Sequence, residues 1–475
     1  MFFSVYTLGC KLNQLETEAI TDAFSCEGFT LVPFDQGSQE HPDSLDAPKP
    51  DIIVINTCTV TSMAEQKARR IIRKQLRQYP GACLIVTGCY AQMERAALAA
   101  LEDDAKNLSP NNDKPQRLFV VPGEKKDRIL DLGRFLAGRE AVPELLASWL
   151  GSLASVEPCS VEQGSADGAF RFRPENFASH SRAFLKIQDG CDRCCAYCRV
   201  SLARGKSRSL GAEEVLARLR ALERRGFAEA VLTGVNISQY RDFGTALPGL
   251  AGLLSFLLEG TEAIRLRLSS IEPDELTQEF IRVVENPRIR PHFHLSLQSG
   301  SAEILAKMGR SYSPQDIEKA VKRLRSVRND PFLACDIIAA FPGESAAEFD
   351  KTLALCGGIG FAWIHAFPFS PRPGTAANAF PGRVSEREAA RRVELLTELG
   401  RKGRADYIRR WEGKEAEAIV ESGKGEQEGF IPALTENYLK LRINCGEKPS
   451  PAPGSLIRCR ILQAAKGRFD AIGAY

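Results

Sequence analysis

Short apolar runs alternate with helix-spaced segments along most of this chain, and that alternation restricts its fold more than any other feature. From Met1 to about Leu150, "FFSVYTLG", "DIIVINT" and "ACLIVTG" are strand-like, whereas "QLETEAITDAFSCEG", "AEQKARRIIRKQLRQYPG" and "AQMERAALAALEDD" have helical spacing. Strands joined by helices return parallel, so residues 1–150 predict an α/β domain: a parallel sheet with helices on its faces. The polar stretches "QGSQEHPDSLDAPKP" and "EDDAKNLSPNNDKPQ" read as surface loops.

"GSLASVEPCSVEQGSADGAF", residues 151–170, reads as a linker. Six further strands follow between residues 171 and 410: "AFLKIQDG", "EAVLTGVN", "RLRLSSI", "HFHLSLQSG", "FLACDIIAAF" and "WIHAFPFS", most of them separated by helices. Six strand and helix units predict an open or partial (β/α)6 barrel with its chemistry at the C-terminal ends of the strands. Residues 411–475 change character. "EAEAIVE", "YLKLRINC", "SLIRCRILQA" and "RFDAIGAY", separated by Gly and Pro, predict a small all-β module, a five-stranded barrel.

A chain of 475 residues, 44% apolar and 26% charged, suits about three soluble domains. Its net charge of +3 permits nucleic acid as a partner without arguing for it. "MFFSVYTLGCKLN" lacks the basic start and cleavage site of a signal peptide, and the longest apolar run, "LAGLLSFLLEG", is too short to span a membrane. The expectation is a cytoplasmic protein with no membrane partner. In a reducing compartment its fourteen cysteines would not be disulfides, so tight clusters point to metal or reactive thiols.

Two sets of cysteines stand out. "CDRCCAYC" places Cys191, Cys195 and Cys198 at C-x3-C-x2-C after the first barrel strand. Three thiolates on a cubane iron-sulfur cluster leave one iron open to bind a small molecule. Zinc held by all four cysteines, Cys194 included, is the competing assignment, although no second C-x2-C pair lies nearby. In the first domain, Cys10, Cys58 and Cys89 each follow an apolar strand and precede a helix, so parallel strands would bring three thiols to one sheet edge. Cys26, Cys83, Cys335 and Cys356 read as core filler.

Polar residues recur at the other barrel strand ends: Thr233, Gly234 and Asn236; Ser269, Ser270 and Glu272; Gln298 and Ser299; Pro342, Gly343 and Glu344. A polar rim suits a zwitterionic ligand. Ser269, Ser270 and Asp274 have a plainer alternative as caps of "DELTQEFIRVVE". The helix after Cys58 carries Lys67, Arg69, Arg70, Arg73, Lys74 and Arg77, either a solvated face or a phosphate-binding one.

"TLGCKLNQLETE", "INTCTVTSMAEQKAR", "VTGCYAQ", "IQDGCDRCCAYC", "LTGVNISQY", "HLSLQSGS", "MGRSYS" and "SPRPGT" together resemble the radical S-adenosylmethionine (radical SAM) methylthiotransferases over nearly the whole chain. "GCKLNQLETE", with Lys11, Asn13 and Glu16, looks most like the branch acting on N6-threonylcarbamoyladenosine in tRNA. The other branches act on isopentenyladenosine in tRNA or on an aspartate of a ribosomal protein. A rival of another class is a non-enzymatic iron-sulfur protein for RNA binding or electron transfer.

The resemblance implies two [4Fe-4S] clusters, one on Cys191, Cys195 and Cys198 and one on Cys10, Cys58 and Cys89. It implies SAM as methyl donor and radical source, bound near Tyr197, Thr233, Gly234, Asn236, Ser270, Glu272 and Gln298. It implies tRNA as substrate, methylthiolated at C2 of the adenine next to the anticodon, and a reducing electron donor such as flavodoxin or ferredoxin; the sulfur source stays open. The tail is similar to the RNA-binding TRAM module, although residues 412–475 hold nine basic and nine acidic residues and so carry no net positive charge. Arg442, Arg458, Arg460 and Lys466 would form its basic face, with Tyr438 or Phe430 to stack on bases.

Overall fold

The structure, a computed structural model, describes residues 1–34, 48–106, 116–139, 142–155, 168–178, 180–242, 244, 247–423, 429–446, 448–465 and 467–475. Most of the two stretches read as loops, and of the linker, lie outside the described residues. The chain divides into two compact units. The first is Met1–Ala178 with two later returns, residues 189–191 and 199–206, and the second is the remainder.

In the first unit, β1 (Phe2–Thr7), β2 (Thr30–Leu31), β3 (Ile52–Thr57), β4 (Cys83–Gly88) and β5 (Leu118–Val120) form a parallel sheet in the order β2-β1-β3-β4-β5. Its strands are apolar on both faces. Ile52 and Val54 pack with Phe3, Ile20 and Phe24 on one side, while Ile53 and Ile55 pack with Ala68, Ile72 and Leu76 on the other. A sheet covered by helices on both faces needs continuous apolar runs rather than alternation. The edge strands β2 and β5, two and three residues long, are too short to carry a periodic signal in the sequence.

The second unit contains all six expected barrel strands: β6 (Ala183–Lys186), β9 (Glu229–Thr233), β10 (Arg265–Leu268), β11 (His292–Gln298), β12 (Phe332–Ala339) and β13 (Trp363–Pro368). A short pair, β7 (Gln188–Asp189) and β8 (Arg208–Ser209), follows β6. The barrel strands are parallel, in two sets of three, β6-β9-β10 and β11-β12-β13. Isolated bridges at Leu266–Ile289 and Ile271–Leu295 join the two sets.

The tail closes into a barrel, β14 (Glu415–Val420), β15 (Phe430–Thr435), β16 (Lys440–Asn444), β17 (Leu456–Ala464) and β18 (Ala471–Ala474), in the order β14-β15-β16-β18-β17. Alternate residues such as Ala416, Ala418, Leu441, Ile443, Ile457 and Ile461 fill it together with Tyr407, Ile408 and Trp411 from the helix Glu386–Trp411. Polar bonds tie it to the central strands. Glu229 accepts from Arg267 Nε at 2.6 Å and Arg290 Nε at 2.8 Å, and Arg290 Nη1 reaches Glu417 Oε2 at 2.8 Å. Burial alone would raise the Glu229 carboxyl, but the two guanidiniums outweigh it and hold its pKa down to about 2.

Candidate metal centres and active site

Three neighbouring strands end in cysteine. Cys10 is the N-cap of the helix Lys11–Cys26 after β1, Cys58 follows β3 directly, and Cys89 begins the helix Cys89–Met93 after β4. The strands pair in register to their ends, with Thr7 opposite Asn56, Asn56 opposite Thr87, and Thr57 opposite Gly88. Adjacent strands lie about 4.8 Å apart, so their final residues are close by construction.

Two glycines draw the turns in further. A Cβ on Gly9 would stand 2.8 Å from Cys58 Cβ, and one on Gly88 would stand 2.2 Å from the Thr57 carbonyl oxygen. Both lie at positive φ, 110° and 102°. Glycine before Cys10 and Cys89 therefore lets both turns press against the Thr57–Cys58 corner.

The set suits a metal cluster chemically. Burial pushes the Cys58 thiol up to about 12; the Val60 N–H works against this, Cys10 and Cys89 add to it, and Arg204 opposes it. A buried thiol that resists ionising is stabilised as a thiolate by a cationic centre. Among the described residues, no three His, Cys, Asp or Glu side chains are grouped to hold a single metal ion. A cubane is gripped at separate iron corners, so its ligands need not converge on one point.

Beneath these cysteines lies a buried polar network that the sequence did not reveal. Asn13 Nδ2 donates to the carbonyls of Leu8 at 2.8 Å and Thr57 at 3.1 Å, fastening the first cysteine turn to the second. Arg204 Nε donates to Cys89 Sγ at 3.2 Å, and its Nη1 and Nη2 reach Glu16 at 2.9 and 3.2 Å. Lys126 Nζ bonds the same carboxylate and Asn56 Oδ1. Asn13 and Glu16, which in the sequence mark a branch of the family, here brace the strand ends. The signal for them was their place in the first two turns of the helix that follows Cys10, with Glu16 three residues after Asn13; Arg204 had none.

In the second set, the amide of Cys191 donates to the Gly205 carbonyl at 3.0 Å within the first unit, and Cys198 N donates to the Cys195 carbonyl at 3.1 Å within the second. Ala196 between them is pinned on both sides, its N–H to Met308 O and its carbonyl to Ala377 N. Burial raises the Cys195 thiol, with Arg310 opposing. Cys194 is exposed.

The Tyr197 hydroxyl accepts from Arg310 Nη2 at 2.5 Å, and Arg310 Nη1 reaches Glu272 Oε1 at 2.7 Å. Arg193 Nη2 lies 2.6 Å from Glu272 Oε2 and from Asp274 Oδ2. Glu272 is thus a buried carboxylate between two guanidiniums. Neither arginine was singled out in the sequence, although both sit inside quoted motifs, "CDRCC" and "MGRSYS".

The other rim residues occupy strand ends. Thr233 closes β9, and Gly234 follows where a Cβ would meet Gln188 Oε1 at 2.8 Å. That opening lets Gln188 Oε1 accept from Asn236 N at 2.8 Å. Ser270 is half-buried beyond β10. Gln298 ends β11 with φ 70° next to a register shift, an uncommon conformation for a residue with a side chain. Thr277, rather than Ser269, Ser270 or Asp274, caps the helix Gln278–Val284. Glu344 turns back to accept from Ala340 N at 2.6 Å and from Arg392 at 2.8 Å.

On the helix Ser62–Gln78, Arg69, Arg70, Arg73, Lys74 and Arg77 line a surface cavity of about 740 Å³. In the tail, Arg442 lies over the Phe430 ring at 5.1 Å. Tyr438 stacks on His292 at 4.1 Å and lies under Arg267, so it joins the tail to the central strands rather than standing open to a base. Lys466 lies outside the described residues.

Residues 3–108 match a family described as Uncharacterized protein family UPF0004, and residues 185–356 match the Radical SAM superfamily. The threonylcarbamoyladenosine tRNA methylthiotransferase MtaB of Treponema pallidum (strain Nichols) is 40% identical over 489 residues, covering 96% of this chain and 97% of that protein. A protein of the same name from Thermotoga maritima is 33% identical, covering 92% and 90%. Among solved structures, the radical S-adenosylmethionine methyltransferase TsrM from Kitasatospora setae is similar at 14% identity and a TM-score of 0.49, covering 79% of this chain and 76% of that one.

Proposed function

We propose, since this chain belongs to the threonylcarbamoyladenosine tRNA methylthiotransferases of the radical SAM superfamily, that it attaches a methylthio group to C2 of N6-threonylcarbamoyladenosine next to the anticodon. The observation that carries this is the 40% identity to a protein of that name across nearly the full length of both chains. It favours this nucleoside over isopentenyladenosine or a ribosomal-protein aspartate.

Cys191, Cys195 and Cys198 would hold one [4Fe-4S] cluster and Cys10, Cys58 and Cys89 a second. When bound, these supply the electron that cleaves SAM and the site of sulfur transfer, with SAM as methyl donor and radical source. Tyr197, Glu272 and Arg310 fix the cysteine loop against the strand ends. Asn236, whose N–H donates to Gln188 Oε1, and Gly234, which leaves room for that side chain, set the backbone of the rim. Thr233, Ser270 and Gln298 complete the rim that would receive the polar end of SAM. The electron donor would be a small reducing protein of the flavodoxin or ferredoxin type. No described helix is long and apolar enough to cross a membrane, and we place the enzyme in the cytoplasm with its tRNA.

Mass spectrometry of tRNA nucleosides from a strain lacking the gene tests the function: methylthio-threonylcarbamoyladenosine should vanish, and an unchanged level would refute the proposal. Purified variants test the division of labour. Cys195→Ala should abolish 5′-deoxyadenosine formation, whereas Cys10→Ala should retain it and lose sulfur insertion; the reverse pattern would overturn the assignment.

A further inference from the structure

We infer that Arg204 is a positioning residue for the metal centre of the first unit, donating its Nε–H to the sulfur of Cys89 and so raising the reduction potential of that centre. The inference rests on Cys10, Cys58 and Cys89 being the ligands. Arg204 is nearly buried, with 9% of its side chain exposed. All five of its N–H donors have assigned partners. Nη1 bonds Glu16 Oε1 at 2.9 Å and Asp189 Oδ1 at 3.1 Å, Nη2 bonds Asn13 Oδ1 at 2.8 Å and Glu16 Oε2 at 3.2 Å, and Nε bonds Cys89 Sγ at 3.2 Å.

The two carboxylates, Glu16 and Asp189, are matched in charge by Arg204 and Lys126. Four donors of the planar fork thus set its orientation, and the fifth is left facing sulfur. Asn13 also ties the Leu8 and Thr57 carbonyls, so the clamp is anchored in the turns that carry Cys10 and Cys58. A hydrogen bond to a ligand sulfur stabilises the more electron-rich state, and such outer-sphere bonds are a main lever on cluster potential.

The test uses the full chain with Cys191, Cys195 and Cys198 changed to Ala, reconstituted anaerobically with iron and sulfide. Iron content is measured first, then the midpoint potential by dithionite titration with mediators, and the EPR spectrum of the reduced state. In this background Arg204→Lys keeps a cation beside Glu16 and Asp189 but loses the fixed Nε–H, and Arg204→Gln loses the charge as well. Both should shift the midpoint to more negative potential and alter the EPR signal, whereas Arg199→Lys, at a buried arginine that bonds Glu65 and Glu94, should move neither.

A folded Arg204→Lys protein with full iron, an unmoved midpoint and an unchanged spectrum would overturn the inference. Should Arg204→Gln not fold, the Lys variant alone decides. If the triple-alanine background holds no iron, or keeps it after Cys89→Ala, the ligand assignment fails and the inference falls with it. That outcome is distinct from a cluster that is present but indifferent to Arg204.

Discussion

Gly9 and Gly88 stand one residue before cysteines, and both their positive φ and their close neighbours require glycine. A methyl at Gly88 would meet backbone, which has no flexible end to give way. Gly88→Ala should therefore cost more than the ~1–3 kcal/mol of the strained backbone alone. It should also lower the iron bound by the first cysteine set. Gly81→Ala, with nothing within 4 Å of the added carbon, should change stability by no more than about 0.5 kcal/mol. Thermal unfolding and iron analysis of both variants check this, and equal effects would refute it. Cys194→Phe should keep full cluster iron, because that exposed thiol lies outside the C-x3-C-x2-C set.

At this scale the strand-end positions of the cysteines were legible because a strand, a turn and a helix are local in sequence. Arg204 was not, since its partners Cys89 and Glu16 lie 115 and 188 residues away. Of the four cysteines read as core, Cys83, Cys335 and Cys356 are buried, but Cys26 is exposed because it ends a helix whose packed face stops at Phe24.

Among the elements, the seam between central strands and tail depends on Glu229. Glu229→Gln would leave Arg267 and Arg290 buried without a full counter-charge, a loss of about 3–5 kcal/mol for a broken buried pair. The folded pKa of about 2 lies below the ordinary 4.5. The stabilisation from its ionised form is therefore full above pH 4.5 and is lost as pH falls from there through about 2. Denaturant unfolding of parent and Glu229→Gln proteins should show a gap that is constant near neutrality and narrows through this window. A gap independent of pH would refute the assignment.

The six central strands were legible as apolar runs between helices. In the tail, four of five strands were. The missing one, β15, contains Pro432, which has no N–H to give a ladder and lowers any strand expectation. Its carbonyl still accepts from Glu421 N at 2.8 Å. The join of β10 to β11 by single bridges was beyond sequence pattern, because strand composition does not report how well neighbours pair.

Across the molecule, the tail shares a core with the last helix. Deleting residues 412–475 would uncover Tyr407, Ile408 and Trp411, each worth about 1.5–3 kcal/mol of burial, and remove Glu417 from Arg290. The shortened chain should melt well below the full one, and an equal melting temperature would refute the shared core. Lost activity on truncation would then say little about RNA. A cleaner probe is Arg70→Gln with Arg77→Gln on the exposed face of the helix Ser62–Gln78. The salt dependence of tRNA binding should flatten by about one unit of slope for each phosphate that is no longer neutralised, and an unchanged slope would leave that face merely solvated.

The first unit is not one continuous piece of chain. It is completed by residues 189–191 and 199–206, which the chain reaches only after beginning the second unit. Asp189, Arg199 and Arg204 all lie in these late segments. The chain leaves the first unit, begins the second and returns twice, so no single cut releases the first one whole. A fragment ending at Ala178 would carry Cys10, Cys58 and Cys89 without the donor to Cys89, and with Glu16 facing Lys126 but not Arg204. During synthesis the same order holds: the three cysteines leave the ribosome first, and the side chain that grips one of them follows 115 residues after it.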